Sequence, residues 1–304
     1  MKRRERIVAL AVAVAAGWGC GDGRGAATGG STQGPPASPP QRIVSLAPSL
    51  TETLFALGVG DRVVGVTRYC AHPPEVRGLP QVGGHLDPSY EAIVSLEPDL
   101  VVLIPSSESS ERRLRALGLR VLQVDQHDVN GVLASITVLA EACGVAERGA
   151  ALRRGMEQRL GDLASSVAGS PRPRTVVVVG HEIGAGAVRS VWAAGPDTFY
   201  DGVLEIAGGV NAISGGVVRY PELSREGLAA LDPDVVIDVV AGIAARGIDL
   251  EEVREGWQAL SELRAVREGR VRVLEGDVMV VPGPRLPEMV EAVARALHPD
   301  VERP

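Results

Sequence analysis

Five histidines are spread through this 304-residue chain without the spacing of a metal site. His72 in CAHPP reads as a loop residue, and His127 and His298 read as surface residues near element ends. The pair His181–Glu182 lacks the second histidine four residues on that a zinc peptidase helix requires. GHEIGAG (180–186) has glycines after a strand, but it lacks the third glycine of a dinucleotide loop and a helix start directly after it. There is no GxSxG elbow and no P-loop. The remaining residues that could do chemistry are of a binding type. Arg68, Tyr69 and His85 in the first half, and His181, Arg189, Trp192, Arg219 and Tyr220 in the second, put aromatic faces and guanidinium groups on or beside loops. Aromatic faces suit a flat ligand, and arginines suit carboxylate, phosphate or catecholate groups. An imidazole such as His85 is either an axial metal ligand or a polar wall.

Two glutamates stand out by position. Residues 89–104 read SYEAIVSLEPDLVVLI and residues 224–239 read SREGLAALDPDVVIDV, a match in register 135 residues apart. Glu91 and Glu226 each fall at the second position of a helix that starts after a capping serine, Ser89 or Ser224. The helix dipole favours a carboxylate there by a few tenths to ~1 kcal/mol, which explains either residue alone. The matched pair points to two related lobes.

The elements that must position these residues alternate between strand and helix. IVSLA is a strand, and SLTETLFALGVG is a helix starting at Ser49, with Glu52 as capping-box partner and Gly58 as stop. RVVGVT, the helix SYEAIVSL halted by Pro98, and DLVVLI complete the opening unit. A helix, a strand and an amphipathic helix follow. Residues 146–169 then form one long helical pattern with Leu152, Met156, Leu160 and Leu163 on one stripe. SPRPR ends it. The second lobe reads as strand 175–179, helix 200–208, the loop NAISGGVVRYPEL, helix 225–231, strand 235–240, helix 250–265, strand 271–275 and a final helix, LPEMVEAVARALH. The fold class is α/β, with apolar β-branched strands in parallel sheets covered by helices.

A chain that is 45% hydrophobic, with a formal charge of −7, has a core for two lobes and no basic field for nucleic acid. Its first residues stand apart. MKRRER followed by an apolar run and Cys20 reads as a signal segment over 1–20, too short to span a bilayer. Cys20 is the expected lipidation site, and an ordinary signal cut elsewhere is the alternative. Residues 21–41 form a Gly/Ser/Pro tether. Cys70 and Cys143 either pair or stay as separate buried thiols.

RIVSLAPSLTETLFALG, GVTRYCAHPPE, PSYEAIVSLEPDLVV, YPELSRE and GPRLPEMVEAVARALHP together resemble the class III periplasmic substrate-binding proteins of the iron–siderophore and vitamin B12 type. The resemblance covers about residues 42 to 299. It implies two Rossmann-like lobes, 42–145 and 170–304, joined by the helix 146–169, with a ligand cleft between them built from loops at the carboxyl ends of the strands. Tyr69, His85 and Tyr220 match aromatic wall positions, with His85 standing where the family has Trp. Glu91 and Glu226 match the glutamates that dock onto arginines of the permease dimer of an ABC importer with its ATPase. The expectation is a monomeric, exported lipoprotein with no catalytic residues and no cofactor of its own. It would bind a metal chelate, with a corrinoid (cobalamin) first, a ferric siderophore next and haem third. An exported enzyme or sensor domain on the same scaffold is the rival reading.

Overall fold

The computed structural model describes residues 38–105, 108–183, 186–242, 247 and 249–301. Cys20, the signal segment and the tether up to residue 37 lie outside the described residues. The described chain divides into two compact units. The first holds the residues through Val124 together with Thr137–Gly149, and the second holds Asp125–Ile136 and the chain from Ala150 onward.

The first unit is built on four parallel strands, β1 (Ile43–Ser45), β2 (Val63–Val66), β3 (Leu100–Leu103) and β4 (Val121–Gln123), in the order β2-β1-β3-β4. β1 and β3 are buried at every position, as expected for strands covered on both faces. The helices α1 (Pro48–Ala56), α2 (Tyr90–Ser95) and α3 (Glu108–Ala116) alternate with them. Val44, Leu46, Val82, Ile93, Val101, Leu103 and Leu114 form one core cluster.

The start of α1 differs from the capping-box expectation. Ala47 is the N-cap, Pro48 takes the first turn, and Ser49 and Glu52 are buried. Proline suits that position because its missing N–H has no helical partner to lose. The stop is as expected. Gly58 adopts φ +71°, its N–H bonds the Phe55 carbonyl at 2.9 Å, and Val59 N–H bonds the Leu54 carbonyl at 3.1 Å. Those two bonds define a Schellman turn.

α4 (Val129–Ala142) and the 21-residue α5 (Ala146–Ser166) follow, each with residues in both units. Met156 and Leu160 of the α5 stripe are buried, and Leu152 and Leu163 are half-buried. Cys70 and Cys143 are both free, buried thiols, so they are not paired.

The second unit has a mixed sheet of β5 (Arg174–His181), β6 (Ser190–Ala193), β7 (Val210–Asn211), β8 (Glu222–Ser224), β9 (Val235–Val240) and β10 (Val271–Glu275). The path is β10-β9-β5-β6-β8, and β7 pairs with the start of β5. β6 runs antiparallel to both neighbours, a strand that the periodicity of SVWA was too short to announce. The helices are α6 (Phe199–Ile206), α7 (Arg225–Leu231), α8 (Leu250–Gln258), α9 (Arg264–Arg267) and α10 (Leu286–Leu297). The helix expected over 250–265 is therefore two pieces. Leu260 and Leu263 turn inward beside Trp257, and burying all three requires the break.

The repeat seen in the sequence is structural. Ser89 Oγ accepts the Ala92 N–H at 3.3 Å, and Ser224 Oγ accepts the Gly227 N–H at 3.2 Å. Glu97 and Asp232, at matching positions, both adopt positive φ before their prolines, 46° and 39°. Asp99 accepts the backbone N–H of Gln41 at 2.7 Å and of Arg42 at 3.0 Å, and Asp234 accepts that of Arg174 at 2.8 Å. Arg42 then reaches the Leu96 carbonyl at 2.7 Å and Arg174 the Leu231 carbonyl at 3.1 Å. Each Pro-Asp thus closes a helix onto the head of the central strand. Asp99→Ala should lower stability by about 1 kcal/mol and Asp99→Asn by less, read as a lower urea midpoint at unchanged m-value.

Candidate functional site

The loop after β2 presents an organised surface on the first unit. Arg68 N–H bonds the Gly83 carbonyl at 2.9 Å, which fixes two loop segments to each other. The Arg68 guanidinium meets Asp87 at 2.6 Å and lies 5.5 Å from the centroid of the Tyr69 ring. Tyr69 is 54% exposed and Leu86 is 53% exposed. His85 is half-buried between them in sequence. Burial holds its pKa below the ordinary value, with the Leu46 backbone partly opposing, which favours the uncharged ring. Its Nδ1 is buried without a hydrogen-bond partner among the described residues. Arg68, expected to meet an anion, is instead engaged by a carboxylate of its own loop.

In the second unit the expected residues separate into three places. His181, at the end of β5, is 3% exposed and belongs to the interior. Its Nε2 lies 2.9 Å from Asp238 Oδ2 and its Nδ1 lies 3.3 Å from the Glu182 carbonyl. Trp257 Nε1–H donates to the same Asp238 oxygen at 2.7 Å, and the two rings meet edge-on at 5.9 Å. Burial opposes the imidazolium, but the Asp238 hydrogen bond and charge, with the Glu182 carbonyl, outweigh it and raise the His181 pKa. With both ring nitrogens engaged by groups of its own unit, His181 has a structural role there. A recess beside it is lined by Glu182, Val188, Glu252 and Gly256 among others.

Arg189 and Trp192 follow on β6 and its approach. Trp192 is half-buried, paired across the ladder with Gly180 and Glu222. Arg189 is exposed, and its carbonyl accepts the Arg225 N–H at 3.2 Å, so it lies at the start of α7. Arg219 and Tyr220 lie in the loop before β8. The Arg219 carbonyl accepts the Gly195 N–H at 2.7 Å. The Asp125 carboxyl is held low against its burial by His127 first and by the Arg219 charge last. His127 lies 2.9 Å from Asp125. Tyr220 is half-buried, and burial pushes its phenol up to about 12 despite the nearby Arg219. Val217 and Val218, just before Arg219, are fully and half exposed.

The repeat register links the two sets. His85 and Tyr220 are 135 residues apart, each six residues before the paired glutamate of its unit. Residues 43–278 match the periplasmic binding protein family. The chain belongs to that family. Within it, the chain is a substrate-binding protein of the ABC transporter type. It is 32% identical over 269 residues to the uncharacterized ABC transporter substrate-binding lipoprotein YvrC of Bacillus subtilis, spanning 86% of this chain and 81% of that one. The crystal structure of the periplasmic vitamin B12-binding protein BtuF of Vibrio cholerae superposes with TM-score 0.71 at 28% identity, covering 85% of this chain and 97% of that one. A periplasmic heme-binding protein from Pseudomonas aeruginosa superposes with TM-score 0.72 at 30% identity, covering 86% and 94%.

In this periplasmic binding protein the paired glutamates are both exposed at the second position of their helices. Glu226 also accepts the Ser224 hydroxyl at 2.8 Å; its own backbone amide, then that hydroxyl, lower its pKa. Arg225 beside it is held in a two-point ion pair by Glu262. Among the described residues no group of three or more His, Cys, Asp or Glu is placed to hold a metal ion, and no helix is long and apolar enough to cross a membrane. His298, expected at the surface, is buried with Nε2 3.1 Å from the Ala207 carbonyl.

Residue-by-residue reading missed Asp238 and Trp257. The signal was present in VVIDVV, where one acid interrupts a fully apolar strand and so requires buried partners. The His181–Asp238 pair sets a pH dependence. A raised imidazole pKa contributes stability that is complete below about 6.5 and is lost as pH rises through the raised folded value. Urea midpoints measured from about pH 6 to about pH 9 should fall for the native protein, and the fall should be smaller in His181→Asn.

Proposed function

We propose that this protein captures a corrinoid outside the cytoplasmic membrane and delivers it to the permease dimer of an ABC importer. The carrying observation is the duplicated arrangement of an uncharged ring, His85 or Tyr220, six residues before an exposed glutamate in each unit. Neutral rings with the exposed Tyr69 suit the flat face of a corrin, and the likeness to the vitamin B12-binding protein of Vibrio cholerae supports the same ligand. The ligand set in this reading is Tyr69, His85, Arg219 and Tyr220, with Trp192 and Arg189 at its margin and Arg68 as a support. His85 serves as a polar wall, with axial coordination of the metal as the variant of that role. The protein itself does no chemistry, and Cys20 carries the lipid that keeps the monomer at the membrane.

Haem is the second reading. Arg219 beside exposed Val217 and Val218 would suit a carboxylate on an apolar macrocycle, and the likeness to the heme-binding protein of Pseudomonas aeruginosa points the same way. A ferric siderophore loses support because Arg68 is occupied by Asp87.

Titration of the purified protein with cyanocobalamin, by calorimetry and tryptophan emission, should show saturable one-to-one binding at micromolar or tighter affinity. No heat with cyanocobalamin and saturation with haemin would transfer the assignment to haem. Glu91→Ala with Glu226→Ala should leave that affinity unchanged and reduce uptake in cells by about tenfold or more, because surface charge pairs govern encounter and register with the permease. Undiminished uptake would remove the docking role.

A further inference from the structure

The first unit contains an arrangement around Tyr69 that the binding reading alone does not require. Arg68 makes two hydrogen bonds to Asp87 Oδ2, at 2.6 and 3.1 Å, while its guanidinium sits by the Tyr69 ring. Its side chain is 40% exposed and that of Asp87 is 65% exposed. An ion pair so open to water adds little to stability. Gly84 is buried at the centre of the same group. A Cβ there would stand 2.3 Å from Asp87 Oδ1, 3.1 Å from Tyr69 Cε2 and 3.3 Å from Arg68 Nη1. A side chain at 84 would therefore crowd the carboxylate, the ring and the guanidinium, the carboxylate most.

We infer that Arg68, Asp87 and Gly84 are positioning residues that hold the exposed Tyr69 ring in one orientation for stacking on the flat face of the ligand. An exposed tyrosine with a free choice of rotamer would have to be ordered on binding. A ring already braced by a cation loses less freedom, and the saving appears as affinity. The brace also neutralises the arginine. The first unit then offers an uncharged stacking surface of Tyr69, Leu86 and the neutral His85, and selects for a flat apolar face over an anionic group. This inference rests on the assignment of Tyr69 to the ligand set, and its test separates the two.

Cyanocobalamin affinities of Tyr69→Ala, Arg68→Gln and the double variant form a thermodynamic cycle. Tyr69→Ala should weaken binding about tenfold, as loss of a stacking face. Arg68→Gln should weaken it about threefold, and the double variant should bind no more weakly than Tyr69→Ala alone, because Arg68 acts through the ring. Asp87→Asn should also weaken binding. If haemin, which carries carboxylates, binds more tightly once Asp87 is removed, Arg68 is an anion contact held in reserve and the inference is overturned. It is equally overturned if Arg68→Gln weakens binding as much without Tyr69 as with it. A loss of affinity in Tyr69→Ala with none in Arg68→Gln or Gly84→Ala keeps the binding assignment and rejects the brace. A second measurement needs no ligand. Side-chain couplings of Tyr69 by NMR should report one χ1 rotamer in the native protein and rotamer averaging in Arg68→Gln and Gly84→Ala. Averaging in the native protein, or an unchanged rotamer in both variants, rejects the brace even if neither probe binds.

Discussion

Each unit depends on a carboxylate that ties the end of one βα connection to the head of the central strand. Asp99 and Asp234 immediately precede strands β3 and β9, and both accept backbone N–H groups at the head of the neighbouring strand, β1 or β5. The proline before each aspartate ends the preceding helix, and the acid before the proline takes the left-handed turn. The arginine at the strand head closes the loop by bonding the helix's last carbonyls. Register between the two central strands, and the position of the helix that carries the glutamate, both follow from this tie.

Charge is used sparingly around the proposed ligand residues. Arg68 is paired with Asp87, Arg225 with Glu262, and His181 with Asp238. Of the rings in the proposed ligand set, His85 and Tyr220 are biased by burial toward their uncharged forms. In the proposed set such rings would offer shape and polarisable area, with Arg219 as its charged member. Glu91 and Glu226 stay exposed at the starts of their helices.

Much of this was legible in the chain itself. The repeat of SYEAIVSLEPDLVV and SREGLAALDPDVVI specified two α/β units, since the period of the apolar residues and the Ser and Pro punctuation occur together. Positions were harder than elements. Ser49 looked like a helix cap because serine followed by glutamate three residues on is the usual signal, yet Pro48 starts the helix one residue earlier. His181 looked like a loop residue because nothing local shows that Asp238, 57 residues later, lies beneath it. Arg68 looked free for the same reason. Its partner is 19 residues away across a proline-rich loop, and only the fold brings them together. Local signals determine periodicity and turns, while pairing of polar groups across elements depends on three-dimensional packing.

The duplicated frame has an implication for how such a protein diversifies. The ties at Asp99 and Asp234 are the same, but the residues mounted on them differ: His85 against Tyr220, and Tyr90 against Arg225. Neither member of these pairs contributes to the ties. The mounted residues of one unit can therefore change without disturbing the tie that holds its helix to its sheet.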